Sequence, residues 1–317
     1  MQDKVLKRLD KMIKPLYTNI IASDNIGLYN GQVGITLLLY YYYYYKKDKA
    51  IRGMADKLLE SVLEKITTYS EREVVGIALS ICYLINNKFI ESDTCLFEDI
   101  DDWLFENKEN KKYPPNIHEV IMTGTYIDRR MEYETQGKKA VWKERLREYF
   151  RSIFMLLCNK HRSVLPIINC SELLFLIQLC TKYENDSYFK HEIELLYEDL
   201  DIIIKIALHE DSNNADKYLL LSLLGDSKLK MSYEPADVWS AATLMDINHF
   251  YFHRFIIGSK SPTPTVIEKE MLLMVRDQKK ITMLLSLLSP NTSGLDGYIG
   301  GFSWALLQWC IENYKIN

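Results

Sequence analysis

A group of residues with metal-binding side chains lies in the last third of the chain. Asp246, His249 and His253 are spaced three and four positions apart, so a helix would carry all three on one face. Histidine pairs separated by four positions bind zinc in other helical motifs. The helix is expected to span 237–256, which puts the histidines two to four turns inside it among aromatic neighbours. The pattern therefore favours core or rim histidines, hydrogen-bonded to a carboxylate or to the backbone, over a metal site.

Carboxylates offer a second kind of chemistry. Asp128, Asp246 and Asp296 could act as a glycosidase-like general acid and base, provided that two carboxyl groups lie about 5–10 Å apart. Asp128 is followed by Arg129 and Arg130 in a segment that is otherwise apolar. Because buried charges require partners, these three residues are expected either to pair across a ring of helices or to face a wet cavity.

The six cysteines indicate neither a disulfide framework nor a cysteine-dependent reaction. They form no C-x-x-C pair and lie mostly in apolar runs, where cysteine is typical of a small buried residue. Cys170 and Cys180 have no base nearby in the sequence that could activate them. We therefore expect no nucleophilic catalysis by cysteine.

Charge and hydropathy restrict the setting of the protein. The net charge is −4, with 39 basic and 43 acidic side chains interspersed, so no nucleic-acid-binding surface is indicated. Residues 1–17 are amphipathic and do not resemble a signal peptide. No run reaches the roughly 20 apolar residues of a membrane span, and we expect a cytoplasmic protein. His161 and His209 are expected to be solvated, as are the acidic residues Glu98, Asp99, Asp101, Asp102 and Glu106.

The hydrophobic pattern predicts an all-α chain in which two kinds of helix alternate. Amphipathic segments, which are expected on the surface, are 3–16, 50–68, 94–107, 140–158, 187–208 and 266–288. Segments that are apolar on every side, and are therefore expected to be enclosed by protein, are 32–45, 76–86, 118–131, 170–183, 214–224, 237–256 and 297–314. Pairing one segment of each kind gives a period of roughly 40–50 residues, within the range of helical-hairpin repeats.

A glycine pattern marks the two ends of this array. Residues 27–35 read GLYNGQVGI and residues 294–301 read GLDGYIGG, and in both a G-x-x-G pair opens an apolar segment. Glycine lets another backbone come close to such a turn. An open solenoid needs polar terminal repeats, whereas both ends here lead into apolar segments. The chain is therefore expected to close into one α/α toroid domain over residues 1–317, with about seven inner and six to seven outer helices.

These residues, together with VGIALSICYLINN at 75–87, resemble the G-L-x-x-G-x-x-G-I repeats of the lanthionine synthetase C-like family. The similarity spans the chain and is thinnest from about residue 110 to residue 230. The resemblance implies an α/α toroid with seven inner helices and, in the family's active members, a zinc ion at the mouth of a central cavity. There the zinc activates a peptide cysteine that adds to a dehydrated serine or threonine, as in lantibiotic biosynthesis. Zinc suits this task because it binds thiolates and keeps one position open for substrate.

The chain departs from the family at the zinc ligands. The family places them in W-C-x-G and C-H-G motifs at the starts of two late inner helices, which correspond here to the stretches near 213–216 and 233–237. Neither stretch contains cysteine or histidine, and no Cys-His dipeptide occurs anywhere in the chain. The zinc site is therefore expected to be lost together with the cyclase activity, and no catalytic residue, cofactor or metal ligand is assigned.

A toroid of this kind brings the N-termini of its inner helices to one mouth, where their dipoles attract anionic or hydrogen-bond-accepting groups. The candidate rim residues are Tyr29, Asn30, Asp128, Trp239, Asp246, His249, Asp296 and Tyr298. Tyrosine and tryptophan are well suited to peptide contacts. The leading hypothesis is thus a zinc-less, catalytically inactive homologue that binds a peptide or a peptide-modifying enzyme. The alternatives are a toroid enzyme that uses cavity carboxylates, a cyclase with a non-standard metal site, and a scaffold without a ligand.

Overall fold

The computed structural model describes residues 2–21, 23–28, 31–91, 94–106, 116–134, 136–158, 167–211, 213–225, 227, 229, 241–258, 261–276 and 304–308. Within these ranges all regular structure is helical and no strand occurs, which confirms the all-α prediction. None of the described helices combines the length and the apolar character that crossing a bilayer requires.

The helices within these ranges are α1 (Gln2–Ile21), α2 (Gln32–Lys46), α3 (Lys49–Leu63), α4 (Glu71–Asn86), α5 (Thr94–Asp101), α6 (Ile117–Val120), α7 (Thr123–Tyr133), α8 (Gln136–Leu157), α9 (Cys170–Tyr183), α10 (Lys190–Glu210), α11 (Asn214–Gly225), α12 (Leu244–Ile257) and α13 (Thr265–Arg276). A 3₁₀ turn follows α3 at Ile66–Thr68, and a π-helical stretch, Asp102–Glu106, continues α5. Residues 304–308 are also helical.

Where the structure describes them, the predicted helices are present, but several boundaries differ. α1 extends to Ile21 rather than to residue 16, α4 begins at Glu71 rather than at 76, and α8 begins at Gln136 rather than at 140. The expected helix 118–131 is divided into α6 and α7 by a turn at residues 121–122. The expected helix 50–68 leaves the α-helical conformation after Leu63. Residues 241–243 are not helical, and α12 begins only at Leu244, because the preceding threonine caps the helix at that point.

The described residues form two compact units. Unit 1 comprises residues 1–69, 83–92 and 239–317, and unit 2 comprises residues 70–82 and 93–238. α4 contributes its first three turns to unit 2 and its last turn to unit 1. A single domain and closure into a toroid stay predictions.

In unit 1 the tyrosine-rich helix α2 is the enclosed element. It packs against α1 and α3, and most of its residues are buried. The hydroxyl of Tyr40 donates to Asp56 of α3 at 2.7 Å, and the hydroxyl of Tyr42 donates to Asp10 of α1. Each ring is thus buried while its hydroxyl has a polar partner. This arrangement explains how a run of six tyrosines, 40–45, forms a helix rather than a strand.

The turn before α2 passes close to the start of its own helix. The N–H of Gly31 donates to the carbonyl of Gly27 at 2.8 Å, and the N–H of Gln32 donates to that of Asn25 at 2.9 Å. A Cβ atom at Gly31 would lie 2.2 Å from the nitrogen of Gly27 and 2.5 Å from the carbonyl carbon of Ile26. The glycine is therefore required by a close backbone contact, as the sequence pattern predicts.

The last described helical residues also lie against α2. The indole N–H of Trp304 donates to the carbonyl oxygen of Gly34 at 3.1 Å. The rings of Tyr41, Phe255 and Trp304 meet one another, with centroid distances of 4.7 to 5.6 Å. Unit 1 thus brings the first enclosed helix together with residues near the end of the chain.

In unit 2 the enclosed helices α7, α9 and α11 are neighbours, with α9 in contact with both of the others. The amphipathic helix α8 packs against α7 and α10, and α10 also packs against α9. The middle of α9, residues 173–177, is buried on every side. Alternation of enclosed and partly exposed helices in this unit therefore follows the predicted pattern.

A glycine also sets the distance between α7 and α8. A Cβ atom at Gly124 would lie 2.4 Å from the Tyr149 ring and 2.7 Å from a methyl carbon of Leu179. The Tyr149 ring is held in place because its hydroxyl donates to the carbonyl oxygen of Ile121 at 2.8 Å. Gly124 therefore allows α8 and α9 to approach α7 closely.

Candidate functional site

The starts of the enclosed helices share a capping pattern in addition to the glycine pattern. A polar residue is followed three positions later by an acidic one at Ser70/Glu73, Asn116/Glu119, Asn169/Glu172, Asn213/Asp216 and Thr243/Asp246. In the four pairs that open α4, α9, α11 and α12, the N–H of the acidic residue donates to the capping side chain at 2.8 to 3.4 Å. This spacing is the capping-box signal. The capping pattern marks the starts of α9, α11 and α12, where the glycine pattern is absent.

The cap at Thr243 gives a direct test of this pattern. Its hydroxyl accepts from the N–H of Asp246 at 3.1 Å, and the Asp246 carboxylate accepts from the Thr243 N–H at 2.8 Å. Thr243→Ala is expected to lower the free energy of unfolding by about 1 kcal/mol in urea titrations. Ser152→Ala, which removes an exposed hydroxyl within α8, serves as the control. A loss no larger than that of the control would show that the cap does not stabilise α12.

Three of these helix starts meet in unit 2 at a polar cluster formed by Arg72, His118 and Glu172. Oε2 of Glu172 lies 2.9 Å from Nδ1 of His118, and Oε1 lies 3.4 Å from Nη1 of Arg72. The glutamate side chain is only 4% exposed, whereas those of His118 and Arg72 are 38% and 52% exposed. Each residue belongs to the first turn of its helix, so α4, α6 and α9 begin at the same end of unit 2.

The opposite ends of α7 and α9 are joined by a second cluster. Nζ of Lys182 lies 2.7 Å from Oδ1 of Asp128 and 3.3 Å from Oε1 of Glu132, and Tyr183 donates its hydroxyl to Asp128. His118 of α6, which precedes α7, contacts the start of α9, and Asp128 and Glu132 of α7 contact its end, so the chain through α6 and α7 follows the direction of α9. Asp128, a candidate rim residue, is therefore buried and paired with a lysine and a tyrosine of α9.

Asp246, His249 and His253 lie on α12 in unit 1. The Asp246 carboxylate is buried and caps the helix by accepting from the N–H and the hydroxyl of Thr243. The rings of the two histidines lie edge to face with their centroids 5.2 Å apart, as their spacing predicts. Because α12 begins at Leu244, they stand about one and a half and two and a half turns from its start. The histidines are therefore closer to the start of their helix than the predicted two to four turns.

Several candidate residues lie outside the described part of the chain. They are Tyr29, Asn30, Trp239, Asp296, Tyr298 and His161. The stretch 233–237, one of the two that correspond to the family's zinc-ligand motifs, also lies outside it. The other stretch, 213–216, is described, and there Asn213 caps α11 through the N–H of Asp216.

The cysteines of the enclosed helices are poor candidates for nucleophiles. Cys82, Cys170 and Cys180 are buried and take part in no disulfide. Burial raises the pKa of each thiol, and for Cys170 the neighbouring Asp211 carboxylate raises the pKa further. Because the thiolate is the reactive form, these side chains are suited to packing.

The acidic stretch around residue 100 is not wholly solvated. Asp101 is buried, and its carboxylate accepts from Arg130 at 2.8 Å and from the Tyr126 hydroxyl at 2.7 Å. Burial raises the pKa of Asp101, and the hydrogen bonds from Arg130 and Tyr126 oppose this effect. The expectation of a solvated side chain is wrong here because its partners lie 25 and 29 positions away. His209, by contrast, is exposed as predicted.

Of these groups, the cluster of Arg72, His118 and Glu172 is the best suited to bind or act on a ligand. An ionised carboxylate only accepts hydrogen bonds, so Nδ1 of His118 donates to Glu172 and Nε2 is left for a ligand. Within the described ranges, neither Nε2 of His118 nor the other guanidinium nitrogens of Arg72 make a further polar contact. No local sequence pattern marks this cluster, because its members lie 46 and 54 positions apart.

No family model matches the chain, and no similar protein is found among curated sequences or solved structures. The resemblance to the lanthionine synthetase C-like family is therefore carried by the sequence motifs alone.

Proposed function

We propose that the chain is a lanthionine synthetase C-like protein of modified-peptide biosynthesis that binds a peptide without zinc-dependent cyclisation. The observation that carries the proposal is the meeting of several helix starts in unit 2 at Arg72, His118 and Glu172. Such an end suits a peptide, because helix N-termini and an arginine offer donors to its carbonyl groups. In this proposal the toroid positions the peptide, and the zinc chemistry of the family's active members is lost.

The proposal of peptide binding is also supported by the half-exposed side chains of Arg72 and His118, which contact the buried carboxylate of Glu172. Arg72 and His118 are held by a glutamate that is itself enclosed, while their own side chains are 52% and 38% exposed and accessible to a ligand. Arginine is also enriched among the residues that dominate binding energy at protein interfaces. Asn169 caps the start of α9. The N–H of Cys170 at this start donates to Asp211, which precedes α11, so the starts of α9 and α11 lie together.

The alternative of glycosidase-like catalysis is less well supported. Of its three candidate carboxylates, Asp128 is bound to Lys182 and Tyr183, and Asp246 caps α12. A general acid or base must reach the substrate within hydrogen-bonding distance, whereas these two carboxylates already have partners in the protein. Asp296 lies outside the described residues.

Fluorescence anisotropy with short labelled peptides that contain serine, threonine and cysteine tests the proposal. We expect saturable binding that Arg72→Gln weakens at least about tenfold, as is typical of an arginine that anchors an interface. Arg151→Gln is a matched control, since Arg151 is 50% exposed and lies 3.0 Å from the buried Glu192, whose side chain is 4% exposed. The control should bind like the wild type.

Thiol counting provides the second half of this experiment. A peptide that contains one dehydroalanine and one cysteine is incubated with the protein, with and without zinc, and the remaining thiols are alkylated and counted. We expect zinc to give no stimulation of thiol loss. Zinc-stimulated thioether formation, or the absence of saturable binding by every peptide, would overturn the proposed function.

A further inference from the structure

We infer that His118 is a proton acceptor, held by Glu172 and assisted by Arg72, that acts on the hydroxyl or thiol group of a bound ligand. This activity goes beyond peptide binding. It rests on the geometry of three side chains in unit 2, and it requires no zinc.

The buried glutamate makes this histidine different from an ordinary surface imidazole. Glu172 is enclosed, and its Oε2 atom lies 2.9 Å from Nδ1 of His118. A carboxylate in this position fixes the ring orientation and places the neutral imidazole's proton on Nδ1. Nε2 then carries the lone pair, on a side chain that is 38% exposed. Pairing of a histidine with a carboxylate behind it is the arrangement by which many enzymes position a general base.

The proton-transfer step is balanced within these three residues and the ligand. The lone pair of Nε2 takes the proton of an O–H or S–H group, and the imidazole becomes an imidazolium. Its positive charge is stabilised by the Glu172 carboxylate at Nδ1, and the oxygen or sulfur atom is left as an anion. Arg72, whose Nη1 atom lies 3.4 Å from the same carboxylate, supplies a guanidinium to stabilise that anion.

The chain contains a natural comparison for this site. His209 also has its Nδ1 atom near a carboxylate, 3.1 Å from Oε1 of Glu210, but the two side chains are 85% and 62% exposed. That glutamate is the adjacent residue, and both groups are on the surface. His209 is therefore a carboxylate-associated histidine without the buried support that distinguishes His118.

Release of p-nitrophenolate from p-nitrophenyl acetate tests the inference. The acceptor's S–H or O–H proton moves to Nε2, the new sulfur–carbon or oxygen–carbon bond forms, and the ester C–O bond breaks as p-nitrophenolate leaves. Reactions contain the full-length protein with N-acetylcysteine amide or with N-acetylserine amide, so the two arms distinguish thiol from hydroxyl acceptors. We expect His118→Gln to lower the protein-dependent rate at least about tenfold in one arm or both. His209→Gln should stay within about twofold of the wild type.

Glu172 is a positioning residue, and a spectroscopic measurement isolates its role. The wild-type protein is expected to show a low-field proton resonance from the imidazole Nδ1–H that disappears in His118→Gln and moves upfield in Glu172→Gln. Circular dichroism melts of each variant establish that it is folded. Equal rates for His118→Gln and His209→Gln would overturn the inference, whether or not the protein binds peptides. A failure of peptide binding alone would overturn only the proposed function.

Discussion

Arg130→Met is expected to lower the free energy of unfolding by about 3–5 kcal/mol, the usual cost of leaving a buried charge without its partner. Arg130 is 7% exposed, and its guanidinium bonds both Asp101 and Glu134 at 2.8 Å. The rings of Phe97 and Trp142 lie 4.5 and 4.8 Å from the guanidinium carbon. Methionine would fill much of the space between these rings but could not neutralise the carboxylates. Urea unfolding measures the difference directly.

Two further variants separate charge from packing in this experiment. Lys205→Met removes an exposed ion pair with Asp201 and is expected to change stability by no more than about 0.5 kcal/mol. Adding Asp101→Leu to Arg130→Met removes one of the two carboxylates left without a partner and should recover part of the loss. If Arg130→Met lowered the free energy of unfolding no more than Lys205→Met does, the ion pair of Arg130 and Asp101 would not stabilise unit 2.

Gly31→Ala is expected to destabilise the protein by about 2–3 kcal/mol, in the range of other overpacking substitutions. The new methyl group would fall within 2.6 Å of three backbone atoms of the preceding turn. Backbone cannot rotate away as a flexible side chain can, so the turn or the start of α2 must move. The two hydrogen bonds that join Gly31 and Gln32 to this turn would be strained at the same time. Thermal and urea unfolding both report the loss.

The same substitution elsewhere in unit 1 supplies the control. Gly53 lies inside α3, and a Cβ atom there would meet nothing within 4 Å. Gly53→Ala should therefore be neutral or stabilise the protein by up to about 1 kcal/mol through helix propensity. Equal effects of the two substitutions would mean that the close contact at Gly31 does not constrain the fold.

The hydrophobic pattern was sufficient to predict most helices because each kind of helix buries a different share of its own surface. The run of six tyrosines at 40–45 was placed in a helix correctly because glycine opened the segment and lysines closed it. The start of α12 was placed too early. Residues 237–243 continue an apolar composition, whereas the reciprocal hydrogen bonds of Thr243 and Asp246 fix the boundary.

The candidate site was less accessible to sequence reasoning than the fold. His118 and Glu172 are 54 positions apart, and Asp101 and Arg130 are 29 apart. A local pattern shows that a residue is charged, but it does not show which distant charge it will face. The capping boxes are the exception, because both of their members lie within one turn. The spacing of Asn169 and Glu172, for example, indicates a helix cap and so marks the start of α9 in the sequence.

Modification of the buried thiols of unit 2 would report how often this unit opens transiently. A reagent in solution can modify Cys82, Cys170 or Cys180 only during the intervals in which α4 or α9 separates from its neighbours, because each thiol is enclosed and protonated in the closed form. The rate of such modification is then set by how often the interior opens. A ligand that holds the starts of these helices together would lower the rate of thiol modification, even if it did not contact a sulfur atom.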